Sequence, residues 1–308
     1  PGKVEAILNL PPPETKEQLR SLLGAINYLS KFTKDLATIA KPMSDLLKSD
    51  TAFLWDTPQQ QSLDEVKDRL CKLPSLAYYR NSRKTVVSAD ASSYGLGACL
   101  FQYDENDQLI PVLFASRTLT NPEKKYAQIE KEALASVWGC EKFDKYLIGR
   151  EFDLWTDHKP LVPLMMTKDL DQCPIRCQKL LMRLMRFNPK VSHVPGKQLV
   201  LADALSRNPI KCVREDVVLA EEVEMYVNAV TRNWPVIITR LASLKADTFM
   251  DHELQLLTQY TMNGWPKTYP ESMKQYEPYK AELSVCEGLI IYQDRIVIPV
   301  SQRQHILE

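Results

Sequence analysis

From Lys84 onward the apolar residues stop recurring at helical spacing and begin to form short β-rich runs, and this change restricts the fold more than any other feature. Residues 85–88, 98–103 and 110–115 are such runs, with Asp104-Glu105-Asn106-Asp107 as a polar turn between the second and third. Three strands in succession suggest an antiparallel meander. Residues 127–147 then return to a helical pattern, in which Ile129, Ala133, Val137, Phe143 and Leu147 share a buried side. A fourth strand at 152–156, a Pro-bounded helix at 174–187 and a fifth strand at 191–194 follow. The order βββ-α-β-α-β-α predicts an α/β fold of mixed type, with helices on the faces of a mixed sheet, and disfavours an all-parallel doubly wound sheet.

The flanks differ in kind. Thr15 with Gln18 has the form of a capping box, and Leu19, Leu22, Leu23, Ile26 and Leu29 follow at helical spacing, which predicts a helix over 16–30. A second is expected over 35–48, and a third begins at Thr57-Pro58, so residues 1–80 are expected to form a small helical unit. Residues 81–208 form the sheet domain, 209–235 an acidic linker containing Glu221-Glu222-Val223-Glu224, and 236–308 a helix near 247–262 plus a hairpin turning at Gln293-Asp294. Lys+Arg and Asp+Glu are equal at 39 each, so any basic surface must be local. The seven cysteines lack zinc-site spacing and suit free thiols in a reducing, intracellular setting. No apolar run approaches the ~20 residues that span a bilayer, and Pro1-Gly2-Lys3-Val4 suggests a piece of a longer protein.

Four carboxylates sit where solvated surface acids do not belong. Asp90 closes the β-branched run Thr85-Val86-Val87-Ser88-Ala89, and Asp157 closes Phe152-Asp153-Leu154-Trp155-Thr156 in the same way. Asp203 lies within the apolar Leu199-Val200-Leu201-Ala202-Asp203-Ala204-Leu205, where an uncompensated carboxylate is costly. On the long helix Glu130 or Glu132 could turn inward. Glu132, which runs directly into Ala133-Leu134-Ala135, is the better placed, leaving Glu130 as the solvated partner. Four converging carboxylates raise one another's pKa unless cations intervene. All-oxygen ligation without a His/Cys cluster favours two Mg²⁺ or Mn²⁺ ions, an arrangement suited to phosphodiester hydrolysis. Gly95 and Gly97 fit either a plain hairpin turn or a close backbone approach to a ligand.

A nucleic acid would need a basic surface, and Arg176, Lys179, Arg183 and Arg186 supply the best candidate, the first three at i, i+3, i+7 spacing on a helix. A plain solvated helix face is the competing explanation. His158 beside Asp157, and His193 before Val194-Pro195-Gly196, could shuttle protons or simply end strands.

Several of these stretches carry a family resemblance. Ser88-Ala89-Asp90-Ala91-Ser92, Gly95-Leu96-Gly97-Ala98, Tyr126 with Glu130-Lys131-Glu132-Ala133-Leu134, Thr156-Asp157-His158-Lys159-Pro160-Leu161, and Pro195-Gly196-Lys197 leading to Ala202-Asp203-Ala204-Leu205-Ser206-Arg207 resemble the ribonuclease H domain of gypsy-type LTR retrotransposon reverse transcriptases. Glu17-Gln18-Leu19-Arg20-Ser21-Leu22-Leu23-Gly24 resembles the thumb and connection segment, and Gly264-Trp265-Pro266 with Arg295-Ile296-Val297-Ile298-Pro299 resembles the approach to an integrase zinc-binding module. The resemblance implies an RNase H-like five-stranded mixed sheet in a fragment of a Pol polyprotein. It implies that Asp90, Glu132, Asp157 and Asp203 bind two Mg²⁺ or Mn²⁺ ions and cleave the RNA of an RNA·DNA hybrid. Palm and integrase segments of the same polyprotein would be its partners, no membrane would be involved, and its place would be a cytoplasmic particle with a nuclear phase. Paired aspartates after Tyr, the polymerase signature, are absent, so DNA synthesis by this chain alone is not expected. The rival expectation is a non-catalytic nucleic-acid-binding or scaffold segment of a decayed or domesticated element.

Overall fold

The computed structural model describes residues 11–29, 39–48, 53–71, 79–207, 209, 214–232, 238–293 and 295–307. Two compact units divide the chain: one comprises Pro1–Leu119, Ala135–Lys159 and Leu184–Val213, the other Thr120–Leu134, Pro160–Arg183 and Arg214–Glu308.

The first unit begins with helices α1 (Lys16–Leu29), α2 (Lys41–Asp45) and α3 (Thr57–Cys71). Position 30 and positions 35–38 of the expected helices lie outside the described residues. The Thr15 hydroxyl accepts the backbone N–H of Gln18 at 3.2 Å, so the capping residue works as its sequence suggests. The sheet follows as β1 (Thr85–Ala91), β2 (Gly95–Tyr103), β3 (Leu109–Thr118), β4 (Asp153–Thr156) and β5 (Lys190–His193), in the spatial order β3-β2-β1-β4-β5. β1–β2 and β2–β3 pair antiparallel, while β1–β4 and β4–β5 pair parallel. This is the mixed five-stranded sheet with flanking helices that the element order predicts. All seven residues of β1 are buried, as befits its central position.

Helix α4 (Gln128–Lys142) packs closely on the sheet through Gly139: a Cβ there would lie 3.0 Å from the Ala98 Cβ and 3.7 Å from the Ala89 Cβ. The other face buries Val86, Cys99, Phe101 and Phe114 against Leu19 and Leu22 of α1, Leu63 and Val66 of α3, and Leu201, Ala204 and Leu205 of a later helix, named below. Leu19, Leu22, Ala25 and Ile26 of α1 therefore share a core with the sheet. At ~25 cal/mol per Å² of apolar surface, that shared burial couples the helix to the sheet's stability.

The second unit contains the start of α4, most of α5 (Ile175–Leu184), and the helices α7 (Arg214–Arg232), α8 (Ile238–Met250) and α9 (His252–Asn263). Helix α6 (Val200–Arg207) belongs to the first unit. Where an acidic linker is expected over 209–235, the chain forms α7, because Leu219, Ala220, Val223 and Val227 supply a buried stripe at helical spacing. The helix expected over 247–262 is broken at Asp251, whose carboxylate accepts the N–H groups of Glu253 and Leu254 and caps a new helix. The C-terminal hairpin has a third strand: β6 (Leu283–Cys286), β7 (Leu289–Tyr292) and β8 (Arg295–Ile296) pair antiparallel in that order. Asp294 of the expected turn lies outside the described residues.

Candidate metal centre

The parallel pairing of β1 with β4 builds the centre. Val86 stands beside Asp153, Val87 beside Leu154 and Ser88 beside Trp155. Continued two residues further, that register sets Asp157 beside Asp90 at the carboxyl ends of adjacent strands, roughly 4.8 Å apart in the hydrogen-bonding direction. Crevices at such strand ends are where open α/β sheets bind ligands. Glu132 comes from α4, a continuous helix, two turns or ~10 Å before the Gly139 contact on the same side. One carboxylate oxygen from each of Asp90, Glu132 and Asp157 lies within 4.8 Å of the other two. Three of the four expected carboxylates are thus brought together.

Electrostatics make this cluster unstable as bare anions. Burial, with the charges of Asp157 and Asp203, pushes the Asp90 carboxyl up to about 7 against the opposing Ser206 hydrogen bond and Arg207. Burial and Asp203 also raise the Asp157 carboxyl. An all-oxygen donor set of mutually repelling carboxylates fits a hard divalent cation, so the residues present suit Mg²⁺ or Mn²⁺.

Asp203 is near but differently engaged. On α6 its Oδ1 accepts from Arg207 Nε at 2.8 Å, and its Oδ2 accepts from the Ser21 hydroxyl at 3.0 Å. Sequence reasoning missed two hydroxyls here. Ser206, fully buried, donates to Asp90 Oδ2 at 2.6 Å, and its own carbonyl accepts the Ser92 hydroxyl at 2.5 Å. Ser206 stands three residues after Asp203 on one helix, a spacing that could have flagged it. Ser21 has no such signal, being 182 residues from its partner.

At Gly97 packing requires the missing side chain. Gly97 pairs with Asp90 across β1–β2, and a Cβ on it would sit 2.6 Å from the Ser206 N and would also overlap the Ala202 carbonyl. Its bare backbone lets α6 lie against the strand. His193 Nε2 lies 3.1 Å from the Asp157 main-chain oxygen. The His158 backbone N–H donates to the Thr156 hydroxyl oxygen at 3.2 Å.

Glu130 corrects the expectation that it is solvated. It is fully buried, because Arg176 meets it: Arg176 Nη1 is 3.5 Å from Glu130 Oε2 and 3.1 Å from the Val285 carbonyl, and its Nε is 3.1 Å from Glu224 Oε1. The guanidinium also stacks over Tyr126, 4.8 Å from the ring centre. Arg176 is therefore an interior cation, only 7% exposed, and not part of an outer basic face. Arg183 pairs with Glu222 at 2.6 Å, with Lys179 at 3.9 Å from the same carboxylate. Arg186 is exposed and lies over Phe187.

Comparison with known proteins agrees with this architecture. Residues 55–154 match the family described as the RNase H-like domain found in reverse transcriptase. The retrovirus-related Pol polyprotein from transposon 297 of Drosophila melanogaster is 36% identical over 214 residues, covering 68% of this chain and 19% of the relative. That from transposon gypsy of the same species is 31% identical, covering 70% and 21%. The transposon Tf2-3 polyprotein of Schizosaccharomyces pombe is 30% identical, covering 66% and 15%. The chain thus spans about a fifth or less of these relatives. Among solved structures, the protease-reverse transcriptase of prototype foamy virus superposes with a TM-score of 0.51 at 16% identity, covering 67% of this chain and 27% of that one, a likeness of fold alone. The homologues of this chain are retrotransposon Pol polyproteins, and its fold is RNase H-like.

Proposed function

We propose that this chain, a homologue of retrotransposon Pol polyproteins, hydrolyses the RNA strand of RNA·DNA hybrids with two divalent ions. The observation that carries the proposal is the convergence of Asp90, Glu132 and Asp157 oxygens at the carboxyl end of an RNase H-like sheet. Asp90 would face both ions, with Glu132 and Asp157 completing one site and Asp203 serving the other. When bound, the ions lower the pKa of the attacking water and stabilise the leaving oxygen. The chain's own share is placement. Ser206 anchors one oxygen of Asp90, so the carboxylate is oriented before any ion arrives. The products would carry 5′-phosphate and 3′-hydroxyl ends.

Selectivity for RNA would come from contacts to 2′-hydroxyls across the minor groove. Arg186, with the partly exposed Lys179 and Arg183, is the proposed contact to the DNA strand, while Arg176 is too deeply enclosed to serve. The palm and integrase partners and the cytoplasmic particle with its nuclear phase belong to the same proposal. No helix among the described residues is long and apolar enough to cross a membrane. The test incubates the chain with labelled hybrid and Mg²⁺ or Mn²⁺. Cleavage by the wild type that falls to background in Asp90→Asn supports the proposal. Equal absence of cleavage in both, with salt-dependent hybrid binding that persists in chelator, supports a non-catalytic binding segment instead.

A further inference from the structure

Helix α1 reaches the fourth carboxylate through two of its side chains. Ser21 donates to Asp203 Oδ2 at 3.0 Å. Glu17 Oε1 lies 2.5 Å from Arg207 Nη1, and the same guanidinium donates its Nε–H to Asp203 Oδ1 at 2.8 Å. Both oxygens of Asp203 are thereby occupied, and Asp203 is not among the oxygens that converge at Asp90, Glu132 and Asp157. The clamp is not a chance surface contact. Leu19 and Leu22, on either side of Ser21, are buried in one core with Leu201, Ala204 and Leu205, which surround Asp203 on α6.

We infer that Ser21 and Glu17 of α1, with Arg207, are positioning residues that hold Asp203 away from the three-carboxylate cluster, so that the second divalent ion binds more weakly than the first and displacement of α1 strengthens it. The inference rests on the two-ion reading above. The first ion meets three carboxylates already gathered. The second must displace a charge-assisted bond from Arg207 and a hydroxyl bond from Ser21 before Asp203 can ligate it. Coupling of this kind would let the segment preceding the sheet set when the nuclease centre is complete, because α1 shares its apolar core with α6.

The test measures Mn²⁺ binding to the full chain by calorimetry and by the electron paramagnetic resonance of the free ion, without nucleic acid. The wild type is expected to bind two ions of unequal affinity, and Asp90→Asn to lose them. Ser21→Ala should tighten only the weaker site, by about threefold, the scale of one neutral hydrogen bond. Ser21→Thr, which keeps the donor, should match the wild type. Arg207→Gln should tighten the weaker site by about tenfold, with a smaller change at the stronger one. Unchanged constants in Ser21→Ala and Arg207→Gln overturn the clamp while leaving the metal centre intact, and so does equal tightening of both sites, which reports general charge alone. Absence of any Mn²⁺ binding in the wild type overturns the clamp and the two-ion reading together. Ser21→Ala removes a single oxygen, so its outcome remains decisive if Arg207→Gln folds poorly.

Discussion

Two buried groups of charge in this chain have opposite constructions. Around Arg176 one cation is enclosed by Glu130, Glu224, the Val285 carbonyl and the face of Tyr126. At the sheet's carboxyl end, Asp90, Glu132 and Asp157 crowd together as like charges. In the first group burial pulls the Arg176 guanidinium down, but Glu130 and Glu224 outweigh it and hold the group above its ordinary value. In the second, burial and like charge combine to drive Asp90 up. The first group holds its own counter-charge, although burial still raises the Glu130 carboxyl and leaves its Oε1 without a hydrogen-bond partner. The second gathers like charges, which a divalent cation would complete under the proposal above, and that asymmetry separates a structural ion network from a candidate site better than burial does, since both are buried.

Breaking the group that holds its own counter-charge should have the largest effect on stability. Arg176→Met leaves Glu130 buried without its cation, and removal of one partner from a buried pair costs about 3–5 kcal/mol. Chemical denaturation of the ion-free chain should show that loss. Adding Glu130→Leu to Arg176→Met should recover much of it, because replacing both partners by apolar groups is often close to neutral. A double variant as unstable as the single one would mean that the network does more than balance its own charge.

The crowded group should respond to pH in the opposite sense from an ordinary salt bridge. The folded-state pKa of Asp90, about 7, lies above its ordinary value of 3.8, so between those values the folded chain holds more protons than the unfolded one. Its contribution is fully present below the unfolded value and is lost as pH rises toward 7. The ceiling of that loss is about 4 kcal/mol at 1.36 kcal/mol per unit. The quantity to measure is the stability difference between wild type and Asp90→Asn in chelator, which should shift in favour of Asp90→Asn as pH rises from about 4 to about 7. Saturating Mg²⁺ should flatten the curve. A difference independent of pH would show that Asp90 ionises freely and that the crowding is relieved within the protein.

The two groups also differ in how far the sequence revealed them. Asp90 and Asp157 were legible because a strand announces its own end, and parallel neighbours bring their ends together. Glu132 needed the apolar Ala133-Leu134-Ala135 beside it, and the same local logic failed for Glu130, whose partner stands 46 residues away. Arg176 was misplaced for a related reason. Its i, i+3, i+7 companions suggest an outer face, but Leu180, one turn on, is fully buried, so Arg176 borders the apolar stripe of α5. A cation at that position faces inward once Glu224 arrives on a helix that composition presents as a linker. Periodicity locates faces of elements. It does not say which faces will meet, and the links from Ser21 to Asp203 and from Ser206 to Asp90 are meetings of that kind.

The smallest expected effect tests whether the crowded group depends on shape as well as charge. Gly97→Ala adds one methyl group to β2 opposite Asp90, where the space is filled by the backbone of α6 at Ala202 and Ser206. Backbone cannot step aside as a long side chain can, so the overlap should cost about 1–3 kcal/mol in thermal or chemical unfolding. Its diagnostic consequence is at the site. Pushing α6 outward lengthens the Ser206 bond to Asp90, the one hydrogen bond that opposes the upward shift of that carboxyl. Gly97→Ala should therefore steepen the pH-dependent loss of stability in chelator, and Ser206→Ala should reproduce the steepening with no overlap at position 97. If Gly97→Ala lowers stability by the same amount at every pH, the glycine serves packing alone and the orientation of Asp90 is set elsewhere.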